Sequence, residues 1–245
     1  MTPVTTLRSK GSGRFVFLCD HASNLVPADL QNLGLPATEL KRHIGWDIGA
    51  AGVTQVLSEM YDAPAILGGV SRLVIDCNRQ LTASDLIPEI SDGTVIPGNR
   101  GLNESGRRQR IEGWFHPYHQ AVETVLDQRA ERNVETVVVS IHSMTPRLGD
   151  ALRPWQIALS SYRDRSLAEP LLASLRLLAG DIVVGDNEPY DLDPAVDYSV
   201  PFHAIRRGLA HLQVEFRQDE IEDAAGQLRW ATKFAEALNA TRACC

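Results

Sequence analysis

TVVVSI, residues 136–141, is a continuous β-prone run that stops on a histidine, His142. Its composition is that of a strand covered on both faces, as strands in parallel sheets are. A second run, RFVFLC at residues 14–19, has the same character and breaks off in DHASN, residues 20–24. Shorter β-prone runs follow at Ala63 to Leu67, Leu73 to Ile75, Trp155 to Leu159, Asp181 to Val184 and Leu212 to Phe216. Between them the apolar spacing predicts helices over Thr38 to Leu57, Gly106 to Arg132, Leu167 to Leu178 and Glu220 to Leu238. Gly45, Gly49 and Gly52 weaken the first helix, and Pro117 marks a kink in the second. Residues 80–105 read as a long irregular excursion. Strands alternating with helices predict a three-layer α/β/α sandwich around a largely parallel or mixed sheet. Ligands of such sheets collect beyond the carboxyl ends of the strands.

The chain of 245 residues is long enough to bury a full core, and no change of composition divides it, which predicts a single domain over residues 1–245. A net charge of −7 argues against nucleic acid, whose phosphates call for clustered positive charge. Cys19, Cys77, Cys244 and Cys245 match neither a CxxC metal clip nor a disulfide framework, which suits a reducing compartment. The opening MTPVTTLRSKGSGRF lacks the apolar core of a secretory signal, and no run approaches the ~20 apolar residues of a membrane span. A soluble cytoplasmic protein is expected.

The strand ends carry the chemistry. His21 and His142 each follow a strongly apolar run, and neutral imidazole is a good zinc ligand. Either histidine alone is more often structural, capping a loop or bonding a carbonyl; the pair points to a metal. Catalytic zinc takes three protein ligands and leaves one position open. Asp47, in GWDIG one turn after His43, is the preferred third ligand, with Asn24 of DHASN as the alternative. SRLVIDCNR, residues 71–79, brings Arg72, Asp76, Asn78 and Arg79 to one place. Two arginines and an amide suit an anionic substrate, because the guanidinium fork matches a carboxylate; an Asp76 to Arg79 ion pair of purely structural value is the other reading. Glu215 alternates with Gln213 and His211 on one face of a late strand, where a carboxylate could act as general base or pair with Arg217 or Arg206. His116 and His119, in FHPYH, are candidates for a supporting role.

Taken in order, DHASN, the Trp46 and Asp47 pair, SRLVIDCNR, HPYH, SIHSMTP and HLQVE resemble the N-formylglutamate amidohydrolase family over residues 15–219. The resemblance implies the phosphorylase/hydrolase-like fold shared with the zinc carboxypeptidases. In that wider group the order is metal histidine, substrate arginine, an AsnArg pair, second metal histidine and catalytic glutamate. His21, Arg72, Asn78 with Arg79, His142 and Glu215 follow it. Two departures stand out. The carboxypeptidase HxxE becomes His21 to Asn24, and LIPEISDGTVIPGN, residues 86–99, marks a divergent branch.

The expected reaction is therefore metal-assisted hydrolysis of a small anionic N-formyl or N-acyl amino acid. Zinc, or another divalent metal such as iron or cobalt, would be held by His21, His142 and Asp47. Glu215 would serve as base and then acid, Asn78 and Arg79 would bind a carboxylate, and Arg72 would sit there or at the oxyanion. A hydrolase of peptide-terminal or cell-wall amides and a non-enzymatic module for anionic ligands are the alternatives. No GxSxG, HExxH, P-loop or GxGxxG occurs.

Overall fold

The computed structural model describes residues 2–178, 180 and 182–242. Among the described residues there are eleven strands: β1 (Val4–Leu7), β2 (Phe15–Cys19), β3 (Ala65–Gly68), β4 (Ile90–Ser91), β5 (Thr94–Val95), β6 (Val137–Met144), β7 (Arg147–Leu148), β8 (Ala151–Leu152), β9 (Ile157–Ser160), β10 (Val184–Asp186) and β11 (Ala210–Arg217). The helices are α1 (Ala37–Leu40), α2 (Ala50–Tyr61), α3 (Glu104–Arg110), α4 (His116–Glu131), α5 (Ala168–Leu178), α6 (Ser199–His203) and α7 (Ala224–Arg242). Seven strands form one sheet in the order β1-β3-β2-β6-β11-β9-β10, and β4-β5 and β7-β8 are separate hairpins.

The sheet is mixed. β3, β2, β6 and β11 run parallel, β1 is antiparallel to β3, and β9 is antiparallel to β11. Alternation along the central strands feeds two cores, as period-2 geometry requires. Phe15, Phe17, Val139, Ile141, Val214 and Phe216 pack on one face with residues of α2, α5 and α7. Val16, Leu18, Ile66 and Val138 pack on the other with Phe115 and residues of α4. The three-layer expectation holds. Among the described residues no helix is long and apolar enough to cross a membrane. Cys19 and Cys77 are buried free thiols; Cys244 and Cys245 lie outside the described residues, as does Asp181.

Three local expectations need correction. The helix expected over Thr38 to Leu57 divides into α1 and α2, because Gly49 takes a left-handed φ of 82°. The intervening turn is pinned by its backbone: Asp47 N donates to His21 O at 2.9 Å, and Arg72 N donates to Gly45 O at 3.1 Å. Asp47 and His43 are therefore not successive turns of one helix. Leu73 to Ile75 form a buried turn and no strand, with Val74 N bonded to Ser71 O and Asp76 N to Leu86 O. The helix expected from Gly106 to Arg132 runs through α3 and α4, joined by a π-helical turn at Ile111–Phe115. That turn absorbs the hydrogen bond that Pro117 cannot donate.

Gly49 joins the fold to the site, since it ends the turn that carries Asp47. A Cβ there would lie 2.0 Å from the Ile221 carbonyl oxygen. Gly93 has a similar φ of 73° with nothing within 4 Å of an added Cβ. Gly93→Ala should cost about 1–2 kcal/mol for its backbone conformation alone. Gly49→Ala should cost clearly more in urea denaturation, because it adds a backbone collision; equal losses would contradict this account of the turn.

Candidate functional site

The site lies at the carboxyl end of the parallel strands. His21 stands two residues beyond β2, and its carbonyl is held by Asp47 N. His142 lies within β6, directly paired in register with Glu215 of β11. Val139 and Ile141, like Val214 and Phe216, point into the core beneath α7, so His142 and Glu215 project to the opposite face. All four residues, His21, Asp47, His142 and Glu215, are buried.

His21, Asp47 and His142 each offer a ligand atom, and these atoms lie within 4.8 Å of one another. Asp47 Oδ2 is 2.9 Å from His142 Nδ1, 3.4 Å from His21 Nδ1 and 3.3 Å from the Ser143 amide, which donates to it. The outer ring nitrogens have other partners. His21 Nε2 is 2.7 Å from Asp76 Oδ1, and His142 Nε2 is 3.0 Å from Ser140 Oγ and 3.5 Å from Asp20 Oδ2. Outer-nitrogen hydrogen bonds of this kind fix the tautomer of a metal-binding imidazole. Two imidazoles and a carboxylate that converge, with supported outer nitrogens, fit a divalent transition metal.

The electrostatics follow from burial and partners. Burial works against ionising Asp47, yet the His21 charge, hydrogen bonds from both histidines and Arg72 hold its carboxyl far below the ordinary range. Asp76 is held well below that range against burial by His21 and Arg72. Burial and Arg72 push His21 down, and Asp76 and Asp47 more than offset them. Burial also pushes His142 down, but its hydrogen bond to Asp47 and the carboxylate charges nearby raise it to about 9. Burial lifts Glu215 to about 7, with the His142 charge only partly opposing. Glu215 makes no hydrogen bond or ion pair among the described residues, so neither Arg217 nor Arg206 neutralises it. Arg217 turns to Asp219 and Glu220, and Arg206 lies over Phe202.

A cavity of about 340 Å³ opens onto these groups and is also lined by Arg72, Asn78, Arg79 and Gln213. Arg72 bridges Asp47 at 3.2 Å and Asp76 at 3.0 Å. The Asp76 to Arg79 pair does not form; Arg79 Nε donates to Asp85 at 2.9 Å. The Asn78 side chain accepts from Tyr198 N and Ser199 N and donates one N–H to Asp197 Oδ1. Its second N–H has no partner among the described residues.

The sequence profile of the N-formylglutamate amidohydrolase family matches residues 13–222. The chain belongs to the N-formylglutamate amidohydrolase family. A gene product of Agrobacterium tumefaciens of known crystal structure is similar over 100% of this chain and 96% of its own, at 31% identity and a TM-score of 0.95. The N-formylglutamate amidohydrolase of Ralstonia eutropha JMP134 shares the fold, with a TM-score of 0.75 and 19% identity over 98% of this chain and 96% of that one. The comparison with curated proteins gives no significant match. Family membership marks the chain as an enzyme of the amidohydrolase type with a small substrate.

Other sequence candidates fall away from the centre. Asn24 is half-buried and does not line the cavity. His43 lines its wall, with Nε2 3.5 Å from Asp92. His116 is exposed, while His119 is buried against His203 and the Cys77 carbonyl. His211 bonds the Leu209 carbonyl at the opposite end of β11 from Glu215. Sequence reasoning passed over Arg153, Thr145 and Tyr190, which line the cavity from irregular segments. It had no reason to pair Ser140 with His142, although period-2 alternation places both on one face.

In the metal-free protein the raised groups set the pH dependence of stability. Glu215 at about 7 against an ordinary 4.5, and His142 at about 9 against 6.5, keep protons in the folded chain that the unfolded chain has released. The unfolded state then binds fewer protons, so stability falls as pH rises. The Glu215 contribution is lost between 4.5 and about 7. The His142 contribution is complete below 6.5 and lost as pH rises to about 9. Urea denaturation of chelator-treated protein should follow this decline. Asp47→Asn should flatten its alkaline half, and an unaltered slope in the variant would exclude His142 as the source.

Proposed function

We propose that the protein is a metal-dependent amidohydrolase that cleaves the amide of an N-formyl or N-acyl amino acid resembling N-formylglutamate, and that residues 1–245 work as one metallohydrolase domain. The observation that carries this reading is the convergence of His21, Asp47 and His142 beside a carboxyl, Glu215, whose pKa of about 7 suits proton transfer near neutrality. His21, Asp47 and His142 would hold the metal, zinc ahead of iron or cobalt, because histidines with one carboxylate recur in catalytic zinc sites. When bound, such a cation supplies Lewis acidity toward the scissile carbonyl and lowers the pKa of an attacking water.

The remaining work belongs to the chain. Glu215 accepts a proton from the attacking water and returns it to the leaving amine nitrogen. Arg72 holds Asp47 and Asp76 and presents its partly exposed edge either to a substrate carboxylate or to charge developing on the carbonyl oxygen. Arg79 and the spare N–H of Asn78 bind a substrate carboxylate. The products are a carboxylate and a free amino acid. The arginines of the cavity favour a small anionic amide, and the buried thiols Cys19 and Cys77 suit a reducing cytoplasm.

Metal analysis and hydrolysis assays on formyl, acetyl and peptidyl amino acids test the scheme. Glu215→Gln should retain metal and lower kcat about 100- to 10,000-fold, whereas Asp47→Ala should lose metal and activity together. A wild-type protein without metal, or full activity in Glu215→Gln, would sink it. Cleavage confined to peptidyl substrates would favour a peptide-amide hydrolase, and anion binding indifferent to chelator without hydrolysis would favour a binding module.

A further inference from the structure

Three arginines line the cavity, and they differ in what neutralises them. Arg72 is paired with Asp47 and Asp76, and Arg79 with Asp85. Arg153 makes no ion pair among the described residues. It is 7% exposed, and its guanidinium donates to the hydroxyls of Thr145 (3.1 Å) and Tyr190. The Tyr190 ring lies 5.0 Å from the guanidinium carbon. A buried cation bonded only to neutral groups and an aromatic face lacks the counter-charge that ordinarily accompanies burial.

The hydrogen-bond directions add to this. Arg153 uses one N–H on each hydroxyl, which leaves further N–H donors on a five-donor fork. Both hydroxyls accept from it, and neither donates to any described residue, so the Thr145 and Tyr190 O–H groups are also unspent. The Arg153 backbone is anchored as well, and its guanidinium is held by the Thr145 and Tyr190 hydroxyls. Arg153 N donates to Pro146 O at 2.9 Å, and Arg153 O accepts from Arg217 at 3.4 Å. A fixed cation flanked by two unspent O–H donors is a receptor for a carboxylate.

We infer that Arg153, with Thr145 and Tyr190, binds a second carboxylate of the substrate and is the residue that selects acidic over neutral acyl amino acids. The inference rests on the amidohydrolase reading for its substrate, with one carboxylate at Arg79 and Asn78 and the other at Arg153. The chemistry at His21, Asp47, His142 and Glu215 does not involve Arg153.

The test compares wild type, Arg153→Gln and Tyr190→Phe on N-formyl-L-glutamate and its neutral counterpart N-formyl-L-glutamine, and measures binding of L-glutamate and L-glutamine by calorimetry. Arg153→Gln should raise KM for the acidic substrate about 10- to 100-fold, with a much smaller change in KM for the neutral substrate and in kcat for either. Tyr190→Phe keeps the cation and the ring at a 44% exposed position, so it should fold normally and show a smaller loss of the same selectivity. Equal losses on both substrates, or a wild type indifferent to the second carboxylate, would overturn the inference. If wild type hydrolyses neither these compounds nor their N-acetyl counterparts, the amidohydrolase reading falls alone. The receptor is then upheld if L-glutamate binds more tightly than L-glutamine and Arg153→Gln removes the difference, and overturned if it does not.

Discussion

Asp47 carries a negative charge that the fold has removed from water, and the arrangement around it follows from keeping that charge ionised. An unpaired buried carboxylate costs several kcal/mol even after relaxation. Here it is met by His142, His21, Arg72 and the Ser143 amide. These partners come from β6, from the chain just beyond β2 and from the turn at residues 71–75. One carboxylate thus ties three segments to the turn that precedes α2. Satisfying it also fixes where the two imidazoles point, because both Nδ1 atoms must face the same oxygen.

The same field explains why a cation suits the site. Asp20, Asp47, Asp76 and Glu215 are all buried near the carboxyl ends of the parallel strands, against Arg72, two imidazoles and the more peripheral Arg79. In the metal-free chain the imbalance is relieved by protons: the carboxylates raise His21 and His142 against burial, and burial, aided by Asp47, raises Glu215. A divalent cation held by Asp47 and the two histidines would take over the charge of the two imidazolium protons, so metal binding and proton release are linked. A histidine merely capping a loop would have no such surplus of carboxylates facing it.

The parts of this design that were legible in the sequence are those set by short-range periodicity. TVVVSI and RFVFLC had to be strands with two apolar faces, and alternation in HLQVE placed Gln213 and Glu215 together. The register that sets Glu215 beside His142 was not legible, since it depends on strands distant in the chain finding each other. The helical relation of Asp47 to His43 that the sequence suggests does not exist; Asp47 reaches the centre because Gly49 stops the helix from starting earlier and Asp47 N bonds His21 O. SRLVIDCNR has the pattern of a strand end, but its apolar residues bury themselves in a turn, where a backbone bond to Gly45 substitutes for a sheet ladder. Tertiary contacts overrode propensity at both places.

The division of labour between regular and irregular structure has a consequence for how the family can vary. His142 and Glu215 lie inside paired strands, where a shift of one residue would turn both to the opposite face and destroy the site. Arg153 and Tyr190 come instead from the segment after the β7-β8 hairpin and from the stretch between β10 and α6, neither of which is locked into the central sheet. Loops tolerate substitution and insertion that strands do not. The proton-transfer and ligand groups are accordingly constrained by the sheet, while the groups that would read the rest of the substrate can change without disturbing them. A fold built this way keeps one reaction and alters its substrate by rewriting residues 145–153 and 187–198, which is where a difference in specificity between branches of the family should be sought.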